Sequence, residues 1–156
     1  MNGKALFLIV FVFLFTGLRA QPYYFRHYQV ENGLSNNTVG CSLQDQKGFL
    51  WFGTKDGLNR FDGYSFKVFQ NDRDNPKSIG SNFIISLHED KSGVLWVGTD
   101  RGLFKYDATT ESFSHVKNAP ADEIRGIQMD NNQCLWFIVK NQLFTFNLKT
   151  GEVERC

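Results

Sequence analysis

The chain has 156 residues and a nearly balanced charge, with 17 Lys and Arg against 16 Asp and Glu. This balance offers no basic surface of the kind that nucleic-acid binding requires, so we expect no nucleic acid to contact the chain. Sixteen Phe, five Tyr and three Trp, with only three Pro, make a composition that favours packed sheet over helix.

The first residues predict an export signal. Lys4 supplies positive charge, Ala5 to Phe15 is an unbroken apolar run, and Ala20 ends a short tail that could be cleaved before Gln21. The apolar run is too short for a bilayer-spanning helix, which needs about 20 residues. We therefore interpret residues 1–20 as a cleaved signal peptide in preference to a membrane anchor.

Two later segments repeat one another. GFLWFGTKDGLNRFD (48–62) and GVLWVGTDRGLFKYD (93–107) are identical at eight of fifteen positions, and QCLWFIVKNQLFTFN (133–147) is a third copy that has lost the glycines. The tryptophans of the copies lie 45 and 40 residues apart, at Trp51, Trp96 and Trp136. This period is typical of propeller blades that have four strands each.

Each copy predicts strands that we letter A to D in chain order. An apolar run (A) enters a turn that contains Asp, the Leu-Trp segment (B) follows, and a second turn makes B and C a hairpin. Strand B is apolar on both faces, as expected for a sheet packed between two neighbours. The predicted strands are 38–44, 49–54, 58–62 and 65–69, then 83–89, 94–99, 102–107 and 112–117, then 123–129, 134–139 and 143–147.

The N-terminal segment repeats the pattern in part. Phe25 to Tyr28 precede NGLSNNTV as Phe66 to Phe69 precede SIGSNFI, which predicts an orphan strand D that can complete the last blade and clasp a ring. We therefore expect an all-β, partial β-propeller of about three four-stranded antiparallel blades. Its parts are an N-terminal outer strand and loop (21–37), blade 1 (38–82), blade 2 (83–122) and an incomplete blade 3 (123–156).

The repeated string is Gly-x-Leu-Trp-x-Gly-Thr-x-x-Gly-Leu-x-x-x-Asp, with Asn-x-Val or Asn-x-Ile and an Asp ahead of it. It resembles the two-component regulator propeller repeat, and the resemblance covers Phe25 to the C-terminus. The resemblance implies the N-terminal part of the periplasmic sensor of a hybrid two-component histidine kinase, in a seven-bladed ring. The implied partners are the remaining blades and the downstream sensor domains of a longer chain, with the membrane reached only through those missing parts.

Several residue types that suggest chemistry have a simpler structural explanation. The repeated tryptophans could stack on sugar rings, but their apolar flanks favour core packing. The aspartates that precede them (Asp45, Asp90 and Asp130) are expected to cap their own turns, not to act as general acids. We interpret Cys41 and Cys134 as small buried hydrophobes in preference to a disulfide.

No catalytic residue and no cofactor are predicted, and no enzyme activity is expected of this segment, since the kinase core that the resemblance implies is absent from it. The stretch QNDRDNPKS (70–78) hints at a calcium loop, but it lacks the central glycine and distal glutamate of the recognised spacing. We therefore predict no metal site.

Antiparallel order places the B–C turns and the D–A loops at one end of every blade. The longest such loop is Gln70 to Asn82, and the turn residues vary between copies while the scaffold does not. A site built from unequal blades requires such variation, so we predict that an oligosaccharide binds here; solvated turn residues are the alternative. The predicted ligand-binding residues are Lys55, Asp56, Asp100, Arg101, Lys140 and Asn141.

Three classes of function fit a propeller: a ligand sensor, an enzyme such as a lyase or hydrolase, and a protein-interaction surface. A propeller fold alone does not separate them, because chemistry depends on the site. The family resemblance favours sensing.

Overall fold

The computed structural model describes residues 23–156, so the predicted signal peptide lies outside the described residues. Twelve strands and one 3-10 turn, Val30–Asn32, occupy this range. The strands are β1 (Val39–Gln44), β2 (Leu50–Thr54), β3 (Gly57–Phe61), β4 (Phe66–Phe69), β5 (Ile84–Glu89), β6 (Leu95–Thr99), β7 (Gly102–Asp107), β8 (Ser112–His115), β9 (Arg125–Met129), β10 (Cys134–Val139), β11 (Gln142–Asn147) and β12 (Val153–Arg155).

The strands form three four-stranded antiparallel sheets, each made of four consecutive strands in chain order. We call β1–β4 blade 1, β5–β8 blade 2 and β9–β12 blade 3. The first strands of neighbouring blades, β1 with β5 and β5 with β9, lie beside one another. This arrangement confirms the predicted partial propeller, with strand A innermost and strand D at the outer rim of each blade.

The first two repeats are equivalent in register as well as in sequence. Leu50 pairs with Phe61 in blade 1, and Leu95 pairs with Tyr106 at the matching position of blade 2. Strand A carries a bulge at the same place in both blades, next to Cys41 and Ser86 respectively. The predicted ends of all eleven strands lie within two residues of the observed ends.

The outer strand predicted at residues 25–28 does not form within residues 23–156. The outer position of each sheet is already occupied, by β4, β8 or β12. Tyr28 instead packs edge-on against Phe61 and Phe66, with ring centroids 4.9 Å and 5.6 Å apart. Blade 3, expected to be incomplete, does have a fourth strand, although it is only three residues long.

The hydrophobic cores lie between the blades. One cluster joins blades 1 and 2 through Trp51, Ile84 and Val97, and another joins blades 2 and 3 through Trp96, Ile124 and Phe137. Sheets that are apolar on both faces pack in this way, because each blade covers the face of the next.

The cysteines are less enclosed than predicted. Cys41 and Cys134 are half-buried, and all the cysteines within residues 23–156 are free thiols. Burial raises the pKa of the Cys41 thiol to about 11, so it stays protonated at neutral pH. Cys41 packs against the core between blades 1 and 2, which agrees with its interpretation as a small hydrophobe.

Candidate ligand-binding face

The B–C turns and the D–A loops meet at one face of the three blades. The N–H of Gly57 donates to the carbonyl of Asn82 at 2.7 Å, which joins the first turn to the loop that leads into blade 2. The N–H of Ile124 likewise donates to the carbonyl of Thr99 at 2.9 Å. Each connecting loop is thus attached to a turn of the blade before it.

The turns of blades 1 and 2 share one structure, and that of blade 3 differs. Thr54 and Thr99 each donate their hydroxyl to the carbonyl of the glycine three residues later, at 3.0 Å, and accept the backbone N–H two residues later. Blade 3 has Val139 at this position, and Lys140 and Asn141 adopt positive φ angles of 47° and 62°. Two central residues with positive φ make a type I′ turn, which dispenses with the glycine of the other copies.

Three of the six predicted binding residues are held by neighbouring loops. The Asp56 carboxylate accepts a hydrogen bond from the Asn82 amide at 3.2 Å, and the Asp100 carboxylate accepts one from the Ser81 hydroxyl. Lys140 forms an ion pair with Asp122. That hydrogen bond from Lys140 is the main cause that holds the pKa of Asp122 below its usual value.

The other three, Lys55, Arg101 and Asn141, are exposed. Within residues 23–156 their side chains make no hydrogen bond and no ion pair. One comes from each blade, so the face presents an ammonium, a guanidinium and an amide group whose donors are available to a ligand.

The long loop at residues 70–82 is organised by its own side chains. The Ser78 hydroxyl donates to the carbonyl of Asp72 at 2.9 Å and accepts the N–H of the same residue. The Asn71 amide donates to the carbonyl of Ile79 at 2.9 Å, and the Ile79 side chain is fully buried. The Asp72 carboxylate, considered above for calcium, accepts the backbone N–H of Asp74 at 3.0 Å.

Sequence reasoning missed one repeated interaction. The indole N–H of the tryptophan in each blade donates to the aspartate six residues earlier: Trp51 to Asp45 at 2.8 Å, Trp96 to Asp90 at 2.9 Å and Trp136 to Asp130 at 3.1 Å. The second oxygen of each carboxylate accepts turn N–H groups, as predicted. The constant spacing of six residues was the signal that could have revealed these pairs.

Two grooves between neighbouring blades lie away from the six predicted residues. One groove of about 580 Å³ lies between blades 1 and 2, and Lys47, Glu89 and Asp107 are among the residues that line it. Another of about 500 Å³ separates blades 2 and 3 and includes Lys105 and Phe146. None of the six residues lines either groove.

Residues 33–56 and 78–101 each match the family model described as "Two component regulator propeller". These two segments are two-component regulator propeller repeats. A histidine kinase of Formosa agariphila, Histidine kinase P4, is 42% identical over 74 residues, which are 46% of this chain and 5% of the kinase. A structure described as the extracellular domain of a hybrid two-component system from B. thetaiotaomicron is 30% identical, with a TM-score of 0.77, and the match covers 85% of this chain and 20% of that one.

A second extracellular domain from B. thetaiotaomicron, described as part of a one-component system, is 24% identical with a TM-score of 0.67, over 80% of this chain and 17% of that one. At this identity it shows the propeller fold alone. This chain therefore covers 5% of the kinase and a fifth or less of each of the two extracellular-domain chains. Among residues 23–156, no helix is both long and apolar enough to traverse a bilayer.

Proposed function

We propose that this chain is part of the periplasmic, ligand-sensing propeller of a two-component sensor and that its ligand is an oligosaccharide. The similarity to the extracellular domain of a hybrid two-component system, with a TM-score of 0.77, is the observation that carries the proposal. Export of that domain agrees with the signal peptide predicted at residues 1–20. In this proposal the chain binds and does not catalyse, and a kinase core elsewhere in a longer protein passes the signal on.

We place the ligand on the face that the B–C turns and D–A loops form. Lys55, Arg101 and Asn141 offer donors to sugar hydroxyls, and each comes from a different blade. The loop at residues 70–82 stands beside them, held in place by the buried Ile79. A loop that is held by its own hydrogen bonds and lies next to exposed donors favours binding, because less conformational entropy is lost when the ligand binds.

The proposal is tested by calorimetry of the full chain against a panel of neutral and acidic oligosaccharides, with Lys55, Asp100 and Arg101 each changed to Ala. A hydrogen bond contributes about 0.5–1.5 kcal/mol, so each change should weaken binding about two- to tenfold. Lys55→Ala and Arg101→Ala are the cleaner variants, because Asp100 also holds Ser81.

Lys47→Ala is the matched control, since Lys47 is an exposed turn lysine of an A–B turn at the other end of the blades. It should leave the affinity unchanged. If a glycan binds and none of the three alanine variants weakens it while circular dichroism shows an intact fold, this face is the wrong one. Cleavage of the glycan during the titration would favour the enzyme alternative.

A further inference from the structure

The two boundaries between blades place different chemistry at one equivalent position. Between blades 1 and 2, the Arg60 guanidinium lies over the ring of Trp51, 5.7 Å from its centroid. It donates to the Tyr106 hydroxyl at 3.3 Å and to the Glu111 carboxylate at 3.1 Å. Glu111 also pairs with Lys67. The cation between these blades is therefore neutralised by a carboxylate of the next blade.

The boundary between blades 2 and 3 has the same backbone geometry. In the backbone register of the B–C hairpin, Lys105 lies opposite Trp96, as Arg60 lies opposite Trp51. Glu111 and Gly151 both occupy the last position of the C–D turn, and both are left-handed, with φ angles of 50° and 75°. The three positions of the first cluster thus have equivalents in the second.

The side chains at these equivalent positions leave a cation without its acid. Lys105 replaces the arginine, Phe146 replaces the tyrosine, and Gly151 replaces the glutamate. Within residues 23–156 the Lys105 ammonium forms no ion pair. A Cβ added at Gly151 would meet no atom within 4 Å, so the space that a glutamate would enter is open.

The groove around Lys105 suits an acidic ligand. Its volume is about 500 Å³, and Phe146 and Leu148 give it an apolar lining. Lys117 also lines this groove. The His115 imidazole packs instead on Phe104, on the opposite face of blade 2, with ring centroids 5.1 Å apart. The carboxylate of Asp90 also lines it, but this group already accepts the Trp96 indole N–H at 2.9 Å and two turn N–H groups.

We propose that the groove between blades 2 and 3 binds a carboxylate, at the place that the Glu111 carboxylate occupies between blades 1 and 2. The carboxylate pairs with Lys105, and the body of the ligand packs on Phe146 and Leu148. It belongs either to a free sugar acid or to an acidic side chain of another polypeptide segment. This inference does not rest on the proposed function, because none of the six residues of the proposed binding face lines the groove.

The test titrates the full chain with glucuronate, whose carboxylate is the chemical difference from its neutral control, glucose. N-acetyl-glutamyl amide, with N-acetyl-glutaminyl amide as its neutral control, represents an acidic side chain. We expect at least one acid to bind saturably and at least tenfold more tightly than its neutral control. The acid with the higher affinity identifies the source of the carboxylate.

Gly151→Glu and Gly151→Gln form a matched pair that differs in charge alone. Both variants place a side chain at the positive φ of 75°, so the backbone strain is the same in the two. Glu111 adopts a positive φ of 50° at the equivalent position, so we expect both variants to fold, which circular dichroism checks. The glutamate variant should lose binding at least tenfold, because its own carboxylate occupies the site of the ligand, and the glutamine variant should lose much less. Lys105→Met should also weaken binding tenfold or more.

Failure of both acids to bind more tightly than their neutral controls would overturn the inference. So would equal affinities of the Gly151→Glu and Gly151→Gln variants. Neither outcome bears on the oligosaccharide site, whose alanine variants lie on other turns.

Discussion

At the scale of single residues, the aspartate and tryptophan pair performs two tasks in each blade. One carboxylate oxygen of Asp90 organises the A–B turn, and the other accepts the indole N–H of Trp96. Both residues are almost fully buried, with 4% and 3% of their surface exposed. Hydrogen bonds are electrostatically stronger in such surroundings, and leaving one unmade there is costly.

We expect Asp90→Asn to lower the free energy of unfolding by about 2–3 kcal/mol, since it removes a charged hydrogen bond and sets an amide donor against the indole N–H. Urea unfolding followed by circular dichroism measures the loss. Trp96→Phe serves as the second arm of a double-mutant cycle, in which the cost of Asp90→Asn should shrink. An equal cost in both backgrounds would show that the turn alone, and not the indole bond, needs the carboxylate.

At the scale of the element, the glycine near the end of strand B controls how closely two blades approach. A Cβ at Gly98 would lie 2.7 Å from the carbonyl oxygen of Ile124, in blade 3, and would also collide with Ser86. In blade 3 the equivalent residue is Ile138, whose side chain is 39% exposed. A side chain fits there because no other blade within residues 23–156 lies against it.

Gly98→Ala should therefore destabilise the chain by about 1–3 kcal/mol, as overpacking does, because the backbone of blade 3 must move. Gly40→Ala is the matched control: it lies in β1, and its added Cβ would be 3.8 Å from its nearest neighbour. We expect the control to change stability by no more than about 0.5 kcal/mol. Denaturant titration of both variants decides the point, and similar losses would refute the packing argument.

At the scale of the whole molecule, the face of blade 1 that points away from blade 2 is open. In blades 2 and 3 the equivalent face is covered by the preceding blade. Val39 and Leu50 are 44% and 37% exposed, whereas their equivalents Ile84 and Leu95 are 0% and 3% exposed against the preceding blade. Together with Phe52, they line an apolar groove of about 230 Å³. Exposed apolar surface of this kind promotes association.

The isolated chain should therefore self-associate, which sedimentation velocity at several concentrations measures. Leu50→Lys should shift the distribution towards monomer, because a charge in the apolar groove opposes its burial. Tyr64→Lys is the control, since Tyr64 is 96% exposed but lies in the turn between β3 and β4, outside the lining of the groove. A monodisperse monomer with a sharp, cooperative melt would count against the prediction.

The sequence alone was sufficient to locate the strands. The signals are local: they are the Leu-Trp segments and the turn residues between them. They occur three times, 45 and 40 residues apart, so each copy supports the assignment of the others. The turn aspartates were also predictable, because a side chain that bonds its own backbone needs only its neighbours in sequence. The orphan strand at residues 25–28 stays a prediction, because a strand forms only where a free sheet edge accepts it, and the outer edge of each of the three described sheets is already occupied.

The oligosaccharide face remains a prediction from the variation between turns, but tertiary structure showed which of its residues are already held. Asp100 accepts a hydrogen bond from Ser81, and Lys140 forms an ion pair with Asp122. The sequence predicted only that these turns and loops share a face.

What the sequence determined by itself is the repeat and the order of strands within a blade, because both depend on residues near one another in the chain. Tertiary structure decided what lies between the blades. Arg60 and Glu111 are 51 residues apart, and their ion pair becomes visible only when two sheets pack face to face. The unpaired Lys105 near Gly151 is likewise a tertiary feature. Only the folded boundary between blades 1 and 2, where Glu111 pairs with Arg60, shows where the acid would be.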